Sequence, residues 1–183
     1  MTTLPAGSGG FINPAAVISQ LPIKEGMKVA GFGCGHGYFV IPLAKMVGNT
    51  GKVYAIDILE DALASVRSKA ETEGLKNIET IRANLEKEGG SGLPNAECDF
   101  VILANILFQS QKKQEIIKEA ARVLKSQGRL VVIDWRTEDL SIGPKEGWRI
   151  GPQELTALAR QEGVLILKEF NTGNFHYGLI FVK

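Results

Sequence analysis

Val29-Ala30-Gly31-Phe32-Gly33-Cys34-Gly35-His36-Gly37 carries four glycines at every second position, and Asp57 follows Gly37 by 20 residues. Glycine is needed where a backbone takes positive φ or passes close to a ligand that a Cβ would block. Free N–H groups at the start of the following helix favour an anionic or carboxylate-bearing ligand. An acid at the tip of the next strand can accept hydrogen bonds from both hydroxyls of a ribose. Together these groups suit a nucleoside-bearing cofactor. The dinucleotide fingerprint G-x-G-x-x-G needs a small third residue so that helix and strand pack closely. Counted from Gly33 that position is the large Tyr38, and the spacing here is G-x-G-x-G through Gly33, Gly35 and Gly37.

Alternating apolar runs and helical patterns must position these groups. Asn13-Pro14 reads as an N-cap with proline at the first helical position, opening a short helix through Gln20. Strands are expected over Lys28–Phe32, Lys52–Ile56, Asn77–Arg82, Cys98–Leu103 and Gly128–Ile133. Helices are expected over Tyr38–Met46, Glu60–Glu73 and Lys112–Leu124, and a turn-rich loop over Gly89–Glu97. Such alternation predicts a parallel sheet with helices on both faces. After a helix over Pro152–Gln161 come two strands, Val164–Phe170 and His176–Val182, separated only by Asn171-Thr172-Gly173-Asn174-Phe175. A parallel crossover needs about a dozen residues or more, so this short link forces a hairpin and an antiparallel last strand.

At this point the chain resembles the class I S-adenosylmethionine-dependent methyltransferases, whose first motif is an acid-x-G-x-G-x-G run and whose sheet ends on an antiparallel strand. The resemblance covers the chain from about Phe11 onward, and departs where the family has Asp or Glu and this sequence has Gly31. It implies an α/β fold, a Rossmann-like doubly wound sheet of seven strands, mostly parallel, in the order 3-2-1-4-5-7-6. A single domain over 13–183 is expected behind a flexible segment over 1–12. The implied cofactor is S-adenosylmethionine, held by Gly31, Phe32, Gly33, Gly35 and Gly37. The resemblance further assigns Asp57 to the ribose diol and Ile58 to the adenine face. Asn84, where the family often has Asp, accepts from the adenine amino group, and Leu85 offers its backbone N–H. Asn105 lies where the family's fourth-strand loop reaches the methionine end.

Beyond these, Asp134 and Trp135 follow the fifth strand at the carboxyl edge of the sheet, where open α/β sheets bind ligands. Ser141 to Trp148 forms a long glycine- and proline-containing connection that reads as a flap or a plain surface loop. The apolar run Ile106-Leu107-Phe108-Gln109 reads as core. His176 is a candidate general base, although a lone strand-end histidine is more often structural, and no residue is assigned as catalytic. Methyl transfer by in-line attack on a sulfonium methyl needs proximity and alignment more than acid–base chemistry.

Composition narrows the partners. The chain has 183 residues, 44% of them hydrophobic, and a net charge of +1, with basic residues scattered rather than striped. This predicts no nucleic-acid partner. No apolar run reaches the length of a membrane span and no secretory signal is visible, so a cytoplasmic protein is expected. Cys34 and Cys98 fall at opposite edges of the expected sheet, so both are expected as free thiols, and with two histidines they form no metal cluster. The chain resembles the ubiquinone and menaquinone C-methyltransferases and the arsenite methyltransferases, with too few cysteines for arsenite. A small-molecule acceptor is expected. The alternatives are a non-catalytic module that binds the cofactor or its demethylated product and, disfavoured by Tyr38 and the hairpin, a nicotinamide-dependent oxidoreductase.

Overall fold

The central strands of the sheet alternate their side chains between two apolar layers, and this alternation builds the domain. In a computed structural model that describes residues 12–138, 142–145 and 147–183, the strands are β1 (Lys28–Phe32), β2 (Lys52–Asp57), β3 (Ile78–Arg82), β4 (Cys98–Ala104), β5 (Leu124–Trp135), β6 (Leu165–Phe170) and β7 (His176–Val182). They form one sheet in the order β3-β2-β1-β4-β5-β7-β6, parallel except for β7, which runs antiparallel to both neighbours. This is the expected order, and the short link Asn171–Phe175 does close a hairpin. The segment 1–12 lies outside the described residues apart from Ile12, as do Ser141 and Glu146 of the expected flap.

Along β4, Phe100 and Ile102 face one layer while Val101 and Leu103 face the other; Leu130 to Ile133 of β5 alternate likewise. The first layer is closed by α1 (Pro14–Ile18), α2 (Val40–Val47) and α3 (Glu60–Thr72), through Val17, Leu43 and Val66. The second is closed by α4 (Lys113–Val123) and α5 (Pro152–Gln161), through Ile117, Ala120 and Leu155. Burying each large apolar side chain contributes about 1.5–3 kcal/mol, so the sheet is pinned from both sides. The parallel register, with Phe32 beside Ile56 and Leu103, brings the carboxyl ends of β1, β2 and β4 to one edge.

Two elements start two or more residues from the expected position. The helix expected from Tyr38 begins at Val40, because Gly37 sits at φ +92 and the first bond of the helical ladder runs from Ile41 N to the Gly37 carbonyl at 3.1 Å. The strand expected from Gly128 starts at Leu124, directly after α4. Leu124 pairs with Cys98 and Arg129 with Phe100, so the register slips between them, with Gln127 at φ +63. The Gln127 amide donates to the Lys183 carbonyl at 3.0 Å, which holds this irregular start against the end of β7.

The loop between β3 and β4 is fastened by α4. Glu119, only 1% exposed, accepts from the amides of Gly89 at 3.0 Å and Ser91 at 2.9 Å, and from the Ser91 hydroxyl at 2.5 Å. Arg122 pairs with Glu119 at 2.7 Å and reaches back to the Leu93 carbonyl at 2.8 Å. Burial alone would raise the Glu119 pKa, but the hydrogen bonds from Arg122 and Ser91 outweigh it and hold the carboxyl at about 2. A carboxyl with its folded pKa depressed stabilises the fold above its ordinary value of 4.5 and loses that contribution as pH falls from there towards about 2. Glu119→Gln is expected to cost about 2–3 kcal/mol in urea unfolding at neutral pH and to flatten the stability profile across that acid window. An acid limb identical to that of the parent protein would contradict the assignment.

Candidate active site

The glycine loop runs from the end of β1 into α2, and its glycines do different work. Gly33, at φ +66, turns the chain where a Cβ would stand 2.5 Å from Cδ1 of Ile106. Gly35, at φ +51, has no atom within 4 Å of where a Cβ would be, so its backbone faces open space. Gly37 instead leaves room for side-chain packing, since a Cβ there would meet Ile41 at 3.2 Å and Val66 at 3.3 Å. Gly31 lies under Val40, whose Cγ1 would be 2.5 Å from an added Cβ. Val40 therefore occupies the place into which a larger residue at position 31 would project.

Two cavities open at the carboxyl edge on either side of this loop. The larger, about 490 Å³, is lined by Gly31, Phe32, Val40, Ile102, Trp135 and His176 among others. The smaller, about 440 Å³, is lined by Asp57, Ile58, Asn84 and Leu85 among others. Gly33, Gly35, His36, Asn105 and Gln109 border both, so the two form one groove with a shared waist. A depression of about 740 Å³ between Asn49 and Glu79 lies at the amino edge of β2 and β3 and carries none of the glycine loop. Both site cavities fall in the size range of small-molecule sites.

The smaller cavity collects the residues the sequence singled out for a nucleoside. Asp57 ends β2 and is 9% exposed; its Oδ2 accepts from the Gly35 amide at 2.9 Å and its Oδ1 from the Leu59 amide at 3.0 Å. Each carboxylate oxygen keeps a second acceptor position. Ile58 is 55% exposed at the rim, an apolar surface available to a flat ring. Asn84 turns its Oδ1 to the Glu86 amide at 2.9 Å, and Leu85 beside it is buried. Among the described residues Asp57 and Glu86 are the charged side chains on this wall, which makes it acidic.

The waist and the larger cavity are built by β4, β5 and β7. Asn105, at φ +57, is anchored by its amide to the Ile133 carbonyl at 2.9 Å, and its Oδ1 meets no partner among the described residues. Gln109, at the end of the single 3₁₀ turn Leu107–Gln109, donates to the Asn105 carbonyl at 2.8 Å. Asp134 is fully buried rather than lining the groove. Burial pushes its carboxyl up to about 6, opposed by the amides of Trp135, Leu107 and Phe108, so it sits behind the turn that carries Gln109. Trp135 and His176 are cross-strand partners with ring centroids 4.2 Å apart. Among the described residues no Asp, Glu, Lys or Arg lines the larger cavity.

Of the residues expected at the site, Gly37 lines neither cavity, while Gly31, Phe32, Gly33, Gly35, Asp57, Ile58, Asn84, Leu85 and Asn105 do. The sequence reading missed Gln109 and the wall built by Ile12, Pro14 and Phe39. Gln109 had one signal, being the lone polar residue of the run that follows the fourth strand. Cys34 and Cys98 are free, and burial pushes both thiols up to about 12, which keeps them protonated and weakly nucleophilic at neutral pH. Among the described residues no cluster of His, Cys, Asp and Glu could hold a metal ion, and no helix is long and apolar enough to cross a membrane.

Residues 23–173 match the methyltransferase domain family. A probable cobalt-precorrin-6B C(15)-methyltransferase (decarboxylating) of Saccharolobus solfataricus is 34% identical over 119 residues, which covers 64% of this chain and 57% of that protein. A demethylmenaquinone methyltransferase of Bacillus mycoides is 30% identical over 130 residues, covering 70% of this chain and 52% of that protein. The chain thus spans about half the length of these curated relatives. A crystal structure of a SAM-dependent methyltransferase from Aquifex aeolicus superposes with a TM-score of 0.85 at 29% identity, covering 94% of this chain and 90% of that one. With the glycine loop, the seven-stranded order and the two-chambered groove all in place, the chain belongs to the methyltransferase domain family and has the fold of its S-adenosylmethionine-dependent members.

Proposed function

We propose that this protein transfers a methyl group from S-adenosylmethionine to a small-molecule acceptor held in the larger cavity. The observation that carries the reading is the shared waist. A nucleoside end with an acidic wall and an acceptor end with no acid among its described residues meet at Gly33, Gly35 and Asn105. When bound, the cofactor supplies a methyl carbon made electrophilic by its sulfonium. Asp57 would take the ribose hydroxyls on its free acceptor positions. Ile58 would cover the adenine, with Asn84 and the Leu85 amide at its edge. The open backbone at Gly35 lets a ligand approach where any side chain would intrude. Asn105 would face the methionine end or the acceptor.

The protein's remaining contribution is to hold the acceptor's nucleophile in line with the methyl carbon and away from water. Proximity and orientation of this kind supply roughly 7–11 kcal/mol of barrier reduction, so the lack of an acid–base pair at the waist fits the reaction. The net charge of +1 and the absence of a basic stripe support an acceptor other than nucleic acid. A cytoplasmic location is part of the same proposal.

Asp57→Ala is expected to weaken S-adenosylhomocysteine binding, followed by calorimetric titration, by about 1.5–3 kcal/mol, the scale of hydrogen bonds to a charged group. An unchanged dissociation constant would remove Asp57 from the site. Gly31→Asp tests the space above β1. Because Val40 fills it, the single variant is expected to bind the same ligand more weakly and melt earlier, and adding Val40→Ala is expected to recover much of both losses. Tighter binding by the single variant would show that Val40 yields without cost.

A further inference from the structure

His176 is 1% exposed, yet neither of its ring nitrogens meets a hydrogen-bond partner among the described residues. It opens β7 opposite Trp135, and both rings line the larger cavity. Buried polar groups are normally paired, and an unpaired one in a cavity wall calls for a ligand group to meet it. Asn105 Oδ1 is a second unpaired atom, placed at the waist where the two cavities join. Burial, with the nearby Arg136 charge adding to it, lowers the His176 pKa to about 4. The ring is therefore neutral at physiological pH and offers one donor and one acceptor.

The rest of the wall excludes charge. Ile12, Phe39, Val40 and Ile102 supply carbon, and among the described residues no carboxylate, lysine or arginine lines the space. A charged acceptor would lose its hydration here without a counter-charge to replace it. We propose that the larger cavity selects an uncharged, largely apolar acceptor whose hydroxyl or N–H group donates a hydrogen bond to His176. The selection rests on the methyl-transfer reading. In that step the acceptor's oxygen or nitrogen forms a bond to the methyl carbon as the carbon–sulfur bond breaks. The bonding pair returns to sulfur, His176 aligns the nucleophile by accepting its hydrogen bond, and the acceptor's proton is lost to solvent. A neutral acceptor thus gives a neutral methylated product, a neutral thioether and one released proton.

Four naphthalenes of similar shape test this by equilibrium binding to the protein saturated with S-adenosylhomocysteine: naphthol, naphthoate, naphthylmethylamine and naphthalene itself. Naphthol is expected to bind at least tenfold tighter than either charged compound. His176→Phe is expected to weaken naphthol about fivefold, the scale of one neutral hydrogen bond, and to leave naphthalene unchanged. His176→Asn, which keeps a donor and an acceptor, is expected to retain part of the preference for naphthol over naphthalene. Naphthoate or naphthylmethylamine binding as tightly as naphthol to the parent protein would overturn the proposal without recourse to any variant. Naphthol binding unaffected by His176→Phe would overturn the role of His176. Failure of S-adenosylhomocysteine to bind at all would instead overturn the methyl-transfer reading, and this proposal with it.

Discussion

The carboxylate of Asp57 holds the amide of Gly35 at 2.9 Å, and the geometry of the whole groove depends on that one bond. It ties the glycine loop after β1 to the tip of β2. Because β1 and β2 are parallel neighbours in register, the bond fixes the loop at the carboxyl edge rather than letting it fold over β4. The Cys34 amide, donating to the Ile56 carbonyl at 3.0 Å, reinforces the same junction. With the loop held, Gly35 presents bare backbone to both cavities, and Gly37 gives up its side chain so that Ile41 and Val66 can close α2 against α3. The sheet's two apolar layers make that edge rigid enough for a single carboxylate to matter.

The groove is electrically lopsided. Asp57 and Glu86 make the smaller cavity acidic, which suits hydroxyl and amino donors, whereas the described lining of the larger one is carbon, amide and neutral imidazole. Gly31 and Val40 contribute to that contrast. The family resemblance leads one to expect an acid at the position of Gly31, and Val40 fills that space. Among the described residues no charged side chain stands at the waist, so a cofactor's amino acid end lying there would be held by backbone and amide groups such as those of Gly33 and Asn105. Behind the wall, the buried Asp134 accepts from the Trp135 amide at 2.8 Å and lies near the turn that bears Gln109.

Much of this was legible in the sequence because the informative features were local or periodic. The G-x-G-x-G spacing, the acid closing β2, and a link too short for a crossover each predict structure from neighbours along the chain. Asp57, Ile58, Asn84 and Leu85 gather in one cavity because parallel strands bring their carboxyl ends together. What escaped was contact between distant residues. Nothing in the run from Gly31 to Gly37 announces that Val40 will lean over the first glycine, or that the last glycine serves packing between helices. Glu119 reads as one more charge on an amphipathic helix, and only the fold reveals that it fastens a loop some 30 residues away in sequence. The early start of β5 was hidden for a similar reason, since its partners in β4 and at Lys183 lie elsewhere in the chain.

The central claim is that one groove places a nucleoside on Asp57 and a reactive centre at the waist beside Asn105. A crystal structure of the protein with S-adenosylhomocysteine tests it most directly. The account predicts the ribose hydroxyls on the Asp57 carboxylate, the adenine against Ile58 with its edge at Asn84 and Leu85, and the sulfur at the waist between Gly33 and Asn105, facing the chamber of Trp135 and His176. A ribose bound away from Asp57, or a sulfur turned from that chamber towards solvent, would contradict it.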